Sequence, residues 1–169
     1  MNATSFGVLV AALLFQAGIS SAQVICGNPQ TSVLKAGQYI DAGDVVIGND
    51  ENFVYVTFVS ENGWTITETH VAVGDTVAGI PQTKSGSPKI GNFAYQGSHD
   101  NVTTVVYAIP LSELGADGCG AIAACAVVEK TTGSRQQEET AWGSGSKFSN
   151  RNWSMYMTYC KQNCQPEDT

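Results

Sequence analysis

Phe53-Val-Tyr-Val-Thr-Phe-Val59 is a run of β-branched and aromatic residues that indicates a β-strand. Apolar residues fill both of its alternating positions, which is typical of a central strand covered on each side. The following stretch, Trp64-Thr-Ile-Thr-Glu-Thr-His70, alternates and indicates a half-buried strand. It places four residues on one side: Trp64, Ile66, Glu68 and His70. Glu61-Asn-Gly63 lies between the two stretches and favours a hairpin, because Asn-Gly tolerates the positive φ of tight turns.

The same kind of strand recurs on both sides of this pair. The 18 glycines and five prolines punctuate short segments rich in Val, Ile, Thr, Tyr and Phe. Further strands are predicted at residues 32–40, 44–47, 101–109, 121–129 and 152–159. Residues 74–97, rich in Gly and Pro, indicate a long loop. Short strands at these intervals predict an all-β fold, a single antiparallel β-sandwich.

The N-terminus has the features of a cleavable export signal. Residues 6–15 form an apolar run that is too short to span a bilayer, and Ser20 and Ala22 occupy the positions that a signal peptidase reads. We therefore predict a signal peptide over residues 1–22, a β-sandwich domain over 23–164 and a flexible acidic tail over 165–169. The mature protein is predicted to be secreted and extracellular, without a membrane span.

The net charge of the chain limits the classes of molecule that it is predicted to bind. The chain carries 15 acidic against 8 basic residues, a formal net charge of −7. Binding of nucleic acid requires clusters of Lys and Arg that neutralise phosphates, so nucleic acid is excluded as a predicted partner. Extracellular glycan or protein is the partner class that remains.

Five cysteines predict disulfides in an exported chain: Cys26, Cys119, Cys125, Cys160 and Cys164. One of the five stays unpaired, and each choice of that residue leaves three connectivities. We favour a Cys119–Cys125 loop and a bond from Cys26 to Cys160 or Cys164. A disulfide-linked dimer through the odd cysteine is open. The spacings do not match a common zinc site, so no metal site is predicted.

Glu68 and His70 are the candidate catalytic or binding pair. Two residues apart on a strand, they project to the same side with Cβ atoms about 7 Å apart. That arrangement suits general acid–base chemistry in a small hydrolase or lyase, or hydrogen bonding at the end of a strand. Trp142 is a third candidate binding residue, because it adjoins Gly143-Ser-Gly145 and is the tryptophan expected to reach the surface.

Two sequons and an acidic cluster complete the candidates. Asn101-Val-Thr103 and Asn152-Trp-Ser154 are acceptor motifs for N-linked glycans in a eukaryotic secretory pathway. Four acidic residues lie close together in a turn-rich region: Asp41, Asp44, Asp50 and Glu51. They suggest calcium without the spacing of an EF-hand, so a calcium-dependent matrix or adhesion protein is a further alternative.

Three longer phrases resemble a secreted module of microbial surface and exported proteins. They are Gly63-Trp-Thr-Ile-Thr-Glu-Thr-His-Val-Ala-Val-Gly74, Ile80-Pro-Gln-Thr-Lys-Ser-Gly-Ser-Pro-Lys-Ile-Gly-Asn-Phe-Ala-Tyr95, and Glu139-Thr-Ala-Trp-Gly143 with Asn152-Trp-Ser-Met-Tyr156. The resemblance covers about residues 45–159. It implies an extracellular domain with a binding or structural role and no settled activity. The positions that define it are Glu68, His70, Glu139, Trp142 and Trp153.

The sequence therefore favours a secreted, non-enzymatic protein. It would act in an extracellular matrix, a cell wall or an interface between organisms by binding glycan or protein. The alternatives are the hydrolase or lyase that uses Glu68 and His70, and the calcium-dependent protein.

Overall fold

Ten β-strands make up most of the part of the chain that the structure describes. A computed structural model describes residues 24–164; the predicted signal peptide (1–22) and tail (165–169) lie outside the described residues. The strands are β1 (Cys26–Ala36), β2 (Ile40–Asn49), β3 (Phe53–Ser60), β4 (Thr65–Gly74), β5 (Tyr95–Val102), β6 (Thr104–Pro110), β7 (Cys119–Thr132), β8 (Arg135–Gly143), β9 (Ser146–Lys147) and β10 (Met155–Cys160). In this part of the chain the helical segments are single 3-10 turns at Val77–Gly79, Ile90–Asn92 and Leu111–Glu113. None of them approaches the length or apolarity that crossing a membrane would require.

The strands form one antiparallel sheet in the order β5-β4-β7-β8-β1-β2-β3-β6, and β10 pairs with both β7 and β9. This sheet folds over so that its two halves face each other. The side chains of its two terminal strands meet, since the Tyr95 and Tyr107 rings lie 6.2 Å apart. The predicted all-β antiparallel sandwich is confirmed.

The chain crosses between the two halves after β3, after β5 and after β6, and the first two of these crossings are neighbours in space. Asn62 (φ 56°) and Gly63 (φ 82°) form the expected tight turn. The predicted hairpin is wrong, because β3 pairs with β2 and β6 whereas β4 pairs with β5 and β7. The second crossing, at Thr103, splits the strand predicted over residues 101–109 into β5 and β6. Ser60 N–H donates to the Thr103 carbonyl at 2.8 Å and joins the two crossings.

The core lies between the two halves and takes alternate residues from nearly every strand. Its largest members without exposed surface include Leu34, Ile47, Phe58, Ile66 and Ile122. This regular alternation excludes water from a continuous apolar cluster, which is the main source of folding free energy.

The outer sides of the two halves differ. The outer side of β4, β7 and β8 carries a second buried cluster, which includes Ala72, Cys125 and Trp142 and is closed by Ile80 and Phe93 from the loop after β4. We call this the covered face. The outer side of β1, β2, β3 and β6 has no second layer among residues 24–164, and we call it the open face. The prediction that β3 is covered on both sides is therefore wrong, since its outer residues are half-buried or exposed.

Two disulfides join the C-terminal segment to the body. The bond between Cys26 and Cys164 confirms one predicted linkage. The predicted Cys119–Cys125 bond is wrong, because both residues lie on extended β7, where six residues span about 20 Å. Cys119 instead bonds to Cys160, its direct partner in the β7–β10 register.

Asn49 anchors the same segment from inside. Its side-chain oxygen accepts hydrogen bonds from the Tyr159 hydroxyl at 2.6 Å and the Gln162 N–H at 2.7 Å. Its amide donates to the Gln162 carbonyl at 3.1 Å. These bonds satisfy a buried polar side chain and fix the chain after β10.

Candidate functional site

A bulge in β4 decides which way Glu68 and His70 point. The pairing of β4 with both neighbours shifts between Ile66 and Glu68. Ile66 therefore packs into the core, whereas Glu68 and His70 project to the covered face. The prediction that Glu68 and His70 share a side is confirmed. The inclusion of Trp64 and Ile66 on that side is wrong, because both pack in the core and an extra residue reverses the alternation before Glu68.

Glu68 and His70 are in direct contact. Glu68 Oε1 and His70 Nε2 lie 2.5 Å apart, and the two side chains are 47% and 9% exposed. Together with Gln96, Gly97 and Ser98 they line a shallow depression of about 250 Å³. His70 Nδ1 is buried without a hydrogen-bond partner in the described part of the chain. The two side chains are in contact as predicted, but they lie at a shallow depression and not in a cleft.

Cys125 is the unpaired cysteine and lies directly opposite His70 on β7. It is only 2% exposed. Burial, with a further contribution from the Glu68 charge, raises the pKa of its thiol to about 12. The thiolate is the nucleophilic form of cysteine, so this side chain is unreactive at neutral pH. Its enclosure also contradicts the predicted route to a disulfide-linked dimer.

Trp142 is buried, which overturns the expectation that it reaches the surface. It is 3% exposed and packs edge-to-face against Phe93 and Phe148, with ring centroids 6.5 and 6.3 Å away. The Gly-Ser-Gly segment beside it does not expose the ring because the loop after β4 lies over it. Trp142 therefore packs the covered face and is unavailable as a stacking surface.

The two sequons differ in accessibility. Asn101 and Thr103 are exposed at the second crossing, where Asn101 has φ 50° and accepts a hydrogen bond from Thr65 at 2.8 Å. Asn152 donates its side-chain amide to Ser87 at 3.0 Å. Its oxygen accepts from Ser154, which is 6% exposed.

Two of the four acidic residues near β2 accept backbone hydrogen bonds from residues close to them in the chain. Asp41 accepts a hydrogen bond from the Gly43 N–H at 3.0 Å. Asp50 accepts from the Asn52 and Phe53 N–H groups, both at 2.8 Å. Residues 24–164 contain no cluster of three or more His, Cys, Asp or Glu side chains suited to a metal ion. Calcium binding stays a prediction.

The open face was missed at the sequence level. Register places these outward side chains on it: Thr31, Val33, Asp44, Val46, Phe53, Tyr55, Thr57, Val59, Thr104, Val106, Ala108 and Pro110. Asp44 is the charged member of this set, and Lys35 opposite Asp41 adds a charged pair on the same side of β1 and β2. Phe53 and Val106 are 38% and 53% exposed. The apolar residues at both alternating positions of Phe53–Val59 do indicate such a surface, but they equally fit a strand that is covered on both sides.

Two aromatic rings stand side by side on the open face. The Phe53 and Tyr55 centroids are 6.2 Å apart. The Tyr55 hydroxyl donates to Asp50 Oδ2 at 2.6 Å, which holds the ring in one orientation. Along β3 and β6 the open face therefore combines uncharged side chains with a fixed aromatic pair.

A polar network inside the sandwich was also missed. The Thr69 hydroxyl lies 2.6 Å from the Tyr107 hydroxyl and 2.8 Å from His99 Nε2. Gly97 leaves the room that this network needs, since a Cβ atom there would lie 3.1 Å from the His99 ring. The network links the terminal strands β5 and β6 through side chains.

Comparison with models of protein families, with curated proteins and with solved structures found no match. The resemblance to a secreted microbial module therefore stays a prediction.

Proposed function

We propose that this protein is exported and binds uncharged polysaccharide of a cell wall or matrix through the open face, without catalysing a reaction. The observation that carries the proposal is the apolar sheet surface around Phe53, Tyr55 and Val106, where β3 and β6 present no charged side chain. Exposed apolar surface of this kind marks interaction sites in soluble proteins.

The chemistry of the open face favours a neutral, extended ligand. A compact small molecule needs a concave pocket, whereas an extended polymer can lie along the surface of a sheet. The faces of aromatic rings carry negative charge density and attract the C–H groups on one side of a sugar ring. The Tyr55–Asp50 hydrogen bond fixes one of these rings before binding, which lowers the entropy lost on association.

Extracellular location is supported by the covalent structure. Cys26–Cys164 and Cys119–Cys160 are both disulfide-bonded. Such bonds persist in oxidising compartments and are rare in the cytosol. The predicted signal peptide over residues 1–22 accounts for how the chain would reach that compartment.

Depletion of the protein from solution by insoluble cellulose, chitin and β-glucan tests the proposal. We expect the wild type to bind at least one of these polymers. The double variant Phe53→Ser with Tyr55→Ser is expected to bind about thirtyfold more weakly, because each of the two rings contributes on the order of 1 kcal/mol and about 1.4 kcal/mol corresponds to tenfold in affinity.

Tyr39→Ser is the matched control. Tyr39 is 87% exposed at the β1–β2 turn, outside the strands of the open face. Its loss should leave binding unchanged. Equal weakening by the control and the double variant, or no binding by the wild type to any of the polymers, would disprove the proposed function.

The Glu68–His70 pair supports a second candidate, a secreted hydrolase or lyase. The 2.5 Å contact provides a carboxylate that orients an imidazole, an arrangement used in acid–base catalysis. Hydrolysis of polysaccharide and ester panels by the wild type that Glu68→Gln abolishes would establish this activity. Equal turnover by both proteins, or none by either, would rule it out.

A further inference from the structure

β6 is the terminal strand at one edge of the sheet. Its hydrogen bonds to β3 determine which of its backbone N–H and C=O groups point away from the sheet. Leu111 N–H donates to the Asn52 carbonyl, and Ser60 N–H donates to the Thr103 carbonyl. Both bonds fit the β3–β6 register. In an antiparallel pair, alternate residues bond to the partner and the residues between them point away. Val105, Tyr107 and Ile109 therefore bond to β3.

The intervening residues Thr104, Val106 and Ala108 direct their N–H and C=O groups to the opposite side. No strand among residues 24–164 pairs with that side of β6. The side chains of the same three residues are exposed on the open face. β6 therefore presents a row of backbone donors and acceptors beside an apolar surface.

The sheet protects its other terminal strand and leaves β6 unprotected. β5 contains His99 and Asp100, Gly97, a positive φ at Asn101 and an irregular register with β4. Such features discourage pairing with another chain. β6 consists of Thr-Val-Val-Tyr-Ala-Ile-Pro, with no charged residue and no bulge, and only its final Pro110 blocks pairing.

We propose that β6 pairs antiparallel with β6 of a second copy of this chain. The two-fold axis passes through Val106, whose N–H and C=O bond to those of Val106 in the other copy. Thr104 then bonds with Ala108 of the second copy, and Ala108 with its Thr104. The open faces of the two molecules join into one continuous surface. This pairing does not depend on the proposed binding of polysaccharide.

Charge and symmetry favour a second copy as the partner. A molecule of net charge −7 repels its own copies, and the contact is most tolerable where charge is absent, as along β6. A strand that pairs with itself around one axis gives a closed two-fold assembly. The two edges are the same strand in two copies, so they match in length, in hydrogen-bond spacing and in apolar side chains.

Sedimentation velocity of the secreted protein tests the pairing. Protein concentrations from about 10 µM to about 1 mM are suited to the weak affinity of interfaces that bury less than about 1,200 Å². We expect a monomer–dimer equilibrium that tightens between about 0.05 M and 0.5 M salt, because salt screens the repulsion. Val106→Lys places two like charges at the axis and is expected to weaken dimerisation at least tenfold.

Ala108→Pro is the second variant, because it removes an outward N–H and leaves the bonds to β3 intact; proline is tolerated at such edge positions. It should also weaken dimerisation at least tenfold, with an unchanged melting temperature at low concentration. Val33→Lys is the matched control on the open face at β1 and should dimerise like the wild type. In the wild-type dimer, the Val106 amide should exchange more slowly than in the monomer.

Three results would overturn the proposal. One is a wild type that stays monomeric throughout this range at high salt. Another is that Val106→Lys and Ala108→Pro both dimerise as tightly as the wild type. The third is a dimer that Val33→Lys disrupts while Ala108→Pro does not, since that pattern indicates stacking of open faces instead of pairing of strands.

Discussion

The covered face and the open face belong to one sheet, yet only one of them is sealed. Over β4, β7 and β8, the loop after β4 contributes Phe93, which leaves 3% of Trp142 exposed. Over β1, β2, β3 and β6, Phe53 and Val106 keep 38% and 53% of their surface in contact with solvent. Apolar residues on both faces thus serve different purposes. One set stabilises the monomer, and the other is available to a partner.

The largest expected effect breaks the packing of the covered face. Trp142→Ala should lower the free energy of unfolding by about 3–5 kcal/mol, because it empties a large site that the surrounding rings cannot fill. Phe53→Ala on the open face is the matched aromatic deletion and should cost less than about 1.5 kcal/mol, since the ring is already partly in water. Urea denaturation measures both. Similar losses would show that the two faces do not differ in this way.

The second effect concerns the covalent support of β7 and β10. Replacing Cys119 and Cys160 together by Ser should lower stability by about 2–4 kcal/mol, because the unfolded chain regains the freedom of a loop closed over 41 residues. Thermal unfolding measures the loss. Tyr39→Ser provides the control for a surface change far from this bond. A melting temperature equal to that of the wild type would contradict the expected contribution.

Alternation along single strands was predictable from the sequence, whereas the layers placed over the sheet were not. The residues from Phe53 to Val59 identify a strand correctly, but local pattern does not reveal whether a second layer covers its outer side. Glu61-Asn-Gly63 identifies a tight turn and cannot specify whether the flanking strands pair. The chain uses that turn to cross the sandwich, because β3 and β4 have other partners.

The candidate sites show the same limit. The shared direction of Glu68 and His70 follows from their spacing of two, which the bulge preserves. The burial of Trp142 depends on Phe93, almost fifty residues away in sequence, so glycine-rich neighbours were a misleading guide. The Cys119–Cys160 bond likewise depends on register between β7 and β10, and sequence separation carries no information on that register.

The third prediction uses pH to examine the covered face. Burial raises the pKa of the Cys125 thiol to about 12, whereas the same thiol in the unfolded chain has its ordinary pKa of 9.0. Between these values the unfolded chain loses the proton and the folded one retains it. Stability should therefore fall by about 1.4 kcal/mol per pH unit as the pH rises above 9.

Cys125→Ala serves as the comparison and should keep a flat stability profile between pH 9 and 10. Above pH 10 both proteins should lose stability, because burial and the Glu113 hydrogen bond raise the pKa of Tyr95 to about 12. Urea denaturation across this range, with non-reducing electrophoresis to verify the disulfides, provides the measurement. Parallel profiles from pH 9 upward would refute the role of the thiol.

The smallest expected effect separates the two sequons. Asn101 lies at the exposed crossing toward β6, so secretion from a eukaryotic host should attach a glycan there. Asn152 helps to close the covered face, because its amide bonds to Ser87 and its oxygen to the buried Ser154. Mass spectrometry should show that Asn101→Gln loses one glycan and that Asn152→Gln loses none. Stability should change by less than about 0.5 kcal/mol for Asn101→Gln.

A glycan found on Asn152 in the folded protein would sharpen the comparison most. It would require the segment around Ser87 to open, since the side-chain nitrogen that carries a glycan is the one that donates to Ser87. The seal over Trp142 would then be incomplete in the secreted protein, and Trp142→Ala should cost less than the range given above. Occupancy at Asn101 alone, together with the full loss for Trp142→Ala, would establish that the covered face stays closed in the secreted protein.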